Sequence, residues 1–235
     1  VTIFWHLGPL ASFDTETSGI NVDADRIVTA ALVRPGGEVL RWLSDADGVE
    51  IPENASRIHG VTTQHARAHG RPAKQVVEEI ADALAGELSA GRAALVVMNA
   101  PFDLSLLDAE CARHGVPTVA ERIGRPVAPI VDPLALDRAA DKRRTGKRTL
   151  TALCTHYGVT LTGAHTADAD AQAALEVALR IAEKYPELQV PAEQLHAWQI
   201  TWHARWATGY QEYLRRSRPD AHVNPSWPLI PPPTQ

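Results

Sequence analysis

Short apolar runs bounded by turn signals occupy the first third of the chain, and apolar positions at helical spacing fill most of the rest. Residues 10–14 and 27–34 (IVTAALVR) read as strands, and residues 38–43 follow a Pro35-Gly36-Gly37 turn. So short a connection predicts an antiparallel hairpin for the second and third. Residues 54–70 are polar and His-rich, with Gly60 as a hinge or cap. Ala73, Val76, Val77, Ile80, Ala81, Leu84 and Leu88 then keep the helical period. Residues 94–98 (ALVVM) are short, unbroken and β-branched, the pattern of a strand covered on both faces. Helices are expected over 102–114, 133–141, 150–156, 166–185 and 192–216, with a further buried strand at Ile130 and Val131. The tail (PSWPLIPPP) is too rich in proline for regular structure.

A hairpin followed by strands alternating with helices predicts an α/β fold, a mixed sheet with helices on both faces. The expected division is a domain over residues 1–186 and a carboxyl-terminal helix with its tail over 187–235, packed on or beside it. The 45% apolar and 22% charged content of the 235 residues is that of a globular chain. Two distant cysteines, Cys111 and Cys154, argue against a disulfide framework or a thiolate zinc site and favour a reducing cytoplasm. No run approaches a membrane span, and the apolar opening has neither the basic flank nor the cleavage site of a signal peptide. A net charge of −5 excludes a strongly basic coat for nucleic acid, yet leaves room for an acidic metal site beside a local basic patch.

Three segments carry candidate chemistry. In FDTETSG, residues 13–19, Asp14 and Glu16 lie two apart at a strand end, so both carboxylates aim to one side. Neighbouring carboxylates repel one another, and a divalent cation removes the conflict; two solvated acids at a strand end are the plainer alternative. In NAPFD, residues 99–103, Asp103 opens a helix directly after the buried strand, a position suited to ligand binding or to simple capping. Asn99 is expected to anchor that loop through its amide. In AHTADADA, residues 164–171, His165 precedes a helix whose second turn holds Asp170. Asp168 competes with Asp170, but the two point ~200° apart around the helix, so only one faces a given site.

Jointly these residues resemble the DEDD superfamily of 3′-to-5′ exonucleases, in its His-containing branch, which includes the proofreading epsilon subunit of bacterial DNA polymerase III and stand-alone cousins. The resemblance covers about residues 10–184, and IHGVT (58–62) is similar to the family's segment lining the terminal nucleotide. The Tyr branch carries Tyr four residues before the last acid, where this chain has Thr166. The resemblance implies a ribonuclease-H-like fold with a carboxyl-terminal helical extension. It implies Asp14, Glu16, Asp103 and Asp170 as metal ligands for two Mg²⁺ or Mn²⁺ ions, and His165 as general base. Such ions, ~4 Å apart, stabilise the charge of phosphodiester hydrolysis, and hard oxygen donors select them. The expected reaction releases nucleoside 5′-monophosphates from single-stranded DNA 3′ ends. RNA ends are the alternative substrate, and an accessory nucleic-acid-binding subunit of a polymerase the alternative role.

Expected substrate contacts are Thr15, Thr17 and His59 on sugar and phosphate, Asn99 beside them, and Phe102, which either stacks on a base or is buried against the sheet. A phosphate-tracking patch is expected from Arg143, Arg144, Lys147 and Arg148 in DKRRTGKR. A polymerase partner would be a separate chain, because 235 residues hold no polymerase domain. The aromatic stripe Trp198, Trp202, Trp206, Tyr210 and Tyr213 is expected to cover the catalytic domain, with an interface as its rival.

Overall fold

The computed structural model describes residues 3–89 and 93–231. A five-stranded sheet runs in the order β3-β2-β1-β4-β5, built from β1 (Leu10–Thr17), β2 (Ile27–Val33), β3 (Val39–Leu43), β4 (Ala94–Val96) and β5 (Ile130–Val131). The first three strands are antiparallel neighbours, whereas β4 is parallel to β1 and β5 is parallel to β4. The carboxyl ends of β1, β4 and β5 therefore share one edge of the sheet, where ligand sites of such sheets form.

The strand period sorts side chains between two cores. Ala11, Phe13, Leu95, Val97 and Ile130 face α3 (Ala73–Leu88) and α4 (Ala100–His114), whose Ile80, Leu84, Leu104 and Leu107 complete that layer. Leu10, Val96 and Val131 face the opposite layer, α6 (Pro133–Ala140), α7 (Leu150–Tyr157) and α8 (Ala167–Lys184). The contact face of α8 is mostly alanine (171, 173, 174, 178 and 182), which lets the helix sit close to the sheet. Val177 and Ile181 fill the remaining space without exposure, so truncating Ile181 to Ala would cost ~2–5 kcal/mol.

The His-rich stretch forms two short helices, α1 (Glu53–His59) and α2 (Thr63–His69), with Gly60 between them at φ 77°. Neither these two helices nor α5 (Val119–Ile123), closed by a reciprocal cap between Thr118 and Glu121, was anticipated. The last helix, α9 (Ala192–Arg215), divides in two. Leu195 and Gln199 are fully buried, and Trp198 and Trp202 lie against the α8 layer. Tyr210 and Tyr213, by contrast, are 41% and 62% exposed, so only the first half covers the sheet. Among the described residues, the tail after α9 has no regular structure, yet Trp227 is buried in the α3/α4 core. No helix among the described residues is long and apolar enough to cross a membrane.

Candidate active site

Asp14 and Glu16 stand near the end of β1, opposite Ala31 and Thr29 of β2, and the register shifts immediately afterwards, between Glu16 and Thr17. A bulge there turns the strand end and re-aims its side chains, a device common beside active sites. On the same strand face, Ser12 gives its hydroxyl to the Ala171 carbonyl at 2.7 Å, with the Val96 carbonyl at 3.2 Å. This contact ties the first turns of α8 to β1 and β4, bringing Asp170 to the acid pair. One ligand atom from each of Glu16, His165 and Asp170 falls within 4.8 Å of the others.

Asp103 arrives from the other layer, on the first turn of α4. Its Oδ1 accepts the Thr15 backbone N–H at 3.1 Å and the Thr15 hydroxyl at 2.6 Å. The expectation that Thr15 touches substrate is therefore corrected. Residue 15 points away from residues 14 and 16, is buried, and positions Asp103 instead. Two non-glycine residues in left-handed backbone bracket the site: Asn99 at φ 61° enters α4, and His165 at φ 69° precedes α8. Backbone of this kind persists only where its surroundings enforce it.

A residue that sequence reasoning missed holds the first of these. The carboxylate of buried Asp132 accepts N–H groups from Asn99 (3.0 Å), Ala100 (3.2 Å) and Leu134 (2.9 Å), together with the indole N–H of Trp227 at 3.2 Å. Asn99 thus anchors its loop through the backbone N–H; its amide does not cap α4, contrary to expectation. Asp132 caps α6 as well, and the Asp-Pro step at 132–133 was the available signal. The Trp227 link, 95 residues away, left no local trace.

Electrostatically the cluster is uncompensated. Among the described residues, none of Asp14, Glu16, Asp103 and Asp170 is salt-bridged to Lys or Arg. Burial, reinforced by the Asp103, Asp170 and Glu16 carboxylates, holds Asp14 well above the usual carboxylate range. Burial, then Asp170 and Asp103, pushes Glu16 up to about 7. Asp103 also rises to about 7 through burial, against the lowering effect of its Thr15 hydrogen bonds. Asp170 is raised by burial, with His165 opposing. Like charges held together, one buried and three half-buried, favour a cation among them. Oxygen donors with one imidazole fit a hard divalent ion. Asp168 is excluded from this group, because Arg41 of β3 pairs with it at 2.7 Å.

The other expected contacts scatter. Thr17 gives its hydroxyl to the Gly19 carbonyl at 2.6 Å, closing the turn after β1. His59 is buried, and its Nδ1 accepts the Val61 N–H at 3.2 Å. His59, His65, Arg41 and His165 line a cavity of about 340 Å³ next to the acids. Phe102 is half-buried against the α3/α4 core. Arg144 and Arg148 are corrected: both guanidiniums bind the fully buried Asp137, and of the basic residues of that run Lys142, Arg143 and Lys147 are the exposed ones.

Residues 12–178 match the model of the RNase T family, described as exonucleases. The chain belongs to this family. Among curated proteins, the PolC-type DNA polymerase III of Streptococcus thermophilus is 30% identical over 166 residues, 68% of this chain and 10% of the polymerase. The enzyme of Streptococcus pneumoniae strain D39 is 28% identical over the same extent. Among solved structures, Escherichia coli Exonuclease I bound to a dT13 oligonucleotide superposes with a TM-score of 0.64 at 21% identity, covering 77% of this chain and 42% of that one. Exonuclease I of Methylocaldum szegediense gives 0.65 at 22% identity, covering 85% and 46%. The shared architecture is the ribonuclease-H-like mixed sheet with helices. The chain thus spans about a tenth of the polymerases and under half of the Exonuclease I chains.

Proposed function

We propose that this chain is a metal-dependent exonuclease that removes nucleoside 5′-monophosphates from the 3′ end of single-stranded DNA. The observation that carries the reading is the gathering of Asp14, Glu16, Asp103 and Asp170 without a cationic side chain, beside an exposed imidazole. Asp14, Glu16 and Asp170, with Asp103 behind them, would hold Mg²⁺ or Mn²⁺. Such ions, when bound, offset the negative charge that builds on the phosphate during hydrolysis. His165 takes the proton of the attacking water at a ring nitrogen, a role suited to an imidazole near neutral pH. Its place on the loop before α8 keeps it open to solvent while the Asp170 carboxylate accepts its backbone N–H at 3.3 Å. Thr15 and Asp132 orient Asp103, and the cavity beside His59 and His165 gives room at the strand terminus.

DNA is favoured over RNA because the curated relatives are DNA polymerases and a structural relative holds a dT13 strand. The same likeness supports a place in replication or repair beside a polymerase in the cytoplasm, where the free, buried Cys111 and Cys154 stay reduced. The test uses 5′-labelled and 3′-labelled DNA and RNA of one sequence with Mg²⁺, Mn²⁺ or chelator. Stepwise shortening of the 5′-labelled DNA, abolished by chelator, is expected. Internal cleavage, metal-independent cleavage or faster RNA trimming contradicts the reading.

A further inference from the structure

The second half of α9 takes no part in the acid cluster, yet its rings are ordered as a row. The Trp206 and Tyr210 rings lie 5.4 Å apart at 17°, and Tyr210 and Tyr213 lie 6.3 Å apart at 14°. Guanidiniums close both ends, Arg138 at 3.5 Å from the Trp206 ring and Arg216 at 6.0 Å from the Tyr213 ring. At the foot of the row a cavity of about 460 Å³ is lined by Arg138, Lys142, Arg205, Trp202 and Trp206, with Glu187 as the acid on its wall. Arg138 is half-buried and makes no hydrogen bond or salt bridge among the described residues. Burial lowers it to about 10, so it stays charged at neutral pH. A stacked, charged guanidinium with free N–H edges is suited to a phosphate.

The row also points the right way. His196 accepts the Ile130 N–H at 3.1 Å, and Gln199 accepts the Asp132 N–H at 2.7 Å, so α9 climbs alongside β5. Because β5 is parallel to β4 and β4 to β1, the helix leaves the sheet at the edge that carries Asp14 and Asp103. At ~1.5 Å per residue, Tyr213 lies roughly 20 Å beyond Gln199. We propose that this pocket and ring row form a second contact site for single-stranded DNA, holding bases and phosphates on the 5′ side of the end being hydrolysed. The inference rests on the exonuclease reading above. The exposed rings, Tyr210 and Tyr213, offer aromatic surface that binds bases regardless of sequence, and the cations beside them track the backbone. Pairing of this patch with itself in a second copy would set Arg138, Lys142, Arg205 and Arg216 against their own equivalents, which repel.

The test measures anisotropy of labelled dT20 and dT4 in chelator, which suspends hydrolysis, for the wild type and for the double variant Tyr210→Ala/Tyr213→Ala. Both tyrosines are exposed, and melting temperature checks the fold. The wild type is expected to bind dT20 more tightly than dT4. The variant should lose about tenfold on dT20, the effect of one lost stacked base, and keep its dT4 affinity. Lys142→Glu/Arg205→Glu, at exposed positions, gives an independent arm and should flatten the salt dependence of dT20 binding. The proposal is overturned if the wild type does not discriminate by length, if both double variants keep wild-type dT20 affinity (even where one dissociates a dimer), or if dT4 binding falls as far as dT20. Hydrolysis of p-nitrophenyl thymidine 5′-monophosphate by the wild type with Mg²⁺ tests the catalytic reading separately, since that ester has no upstream strand.

Discussion

Two groups of buried carboxylates on this chain are treated in opposite ways. Asp137 on α6 is fully buried, but Arg144 and Arg148 bind it and the Tyr157 hydroxyl donates to it at 2.8 Å, so it is held below the usual carboxylate range despite its burial. Asp103 is nearly as buried and Asp14 half-buried; among the described residues neither is paired with an Arg or Lys, Asp103 having only its Thr15 hydrogen bonds, and both are held above it. The first group is internally satisfied and serves the fold. The second is left in conflict, which the fold tolerates at a site that an outside cation completes.

The sharpest way to break the contrast is to remove a charge from each side. Asp14→Asn should lower exonuclease turnover by ~10⁴-fold, measured on 5′-labelled DNA, because it takes away the carboxylate that the other three acids surround, a ligand of the proposed metal site. The same change should raise the melting temperature of metal-free protein. Arg148→Ala should act in reverse. Because Arg144 and the Tyr157 hydroxyl still hold Asp137, the loss is expected to fall below the ~3–5 kcal/mol of an orphaned buried charge, read by denaturant unfolding, while activity per folded molecule stays near wild type. Next in size is His165→Ala, expected to reduce turnover by ~10²-fold with divalent-ion uptake largely kept. Wild-type turnover would remove the histidine from the mechanism.

A pH series without metal gives a smaller effect of definite sign. Glu16 and Asp103 carry folded-state values of about 7, above those of the unfolded chain, so the folded state binds more protons between roughly pH 4 and 7. Their contribution is fully present at low pH and is lost as pH rises through about 7. Melting temperature in chelator should therefore fall by a few degrees from pH 5 to 8, on the scale of ~1 kcal/mol, and Mn²⁺ should restore it at pH 8. The least effect is expected from Arg143→Gln/Lys147→Gln, exposed charges whose loss should soften the salt dependence of single-strand binding.

The elements that local signals define were legible in the sequence. The hairpin followed from its Pro-Gly-Gly turn, and the bounds of α3 from its apolar spacing. Helix α5 carries a local signal too, because Thr118 and Glu121 spell a capping box. Long-range contacts were not readable. Asp137 lies only seven residues before Arg144, yet nothing local says that the intervening loop folds back to bury it, so the basic run reads as a phosphate-tracking patch. Asp132 could be read as a helix cap, but not as the holder of Asn99 or the partner of Trp227. In the acid cluster the residue types pointed to chemistry, while Thr15 as a support for Asp103 emerges only from the alternation of β1 against α4.

Calorimetric titration of Mn²⁺ into wild type and Asp14→Asn at pH 7.5 bears most directly on the unsatisfied cluster. Two ions per chain taken up by the wild type, and a variant that binds weakly or with one site lost, are the predicted outcome. Equal uptake by both proteins, or none by the wild type, would contradict it.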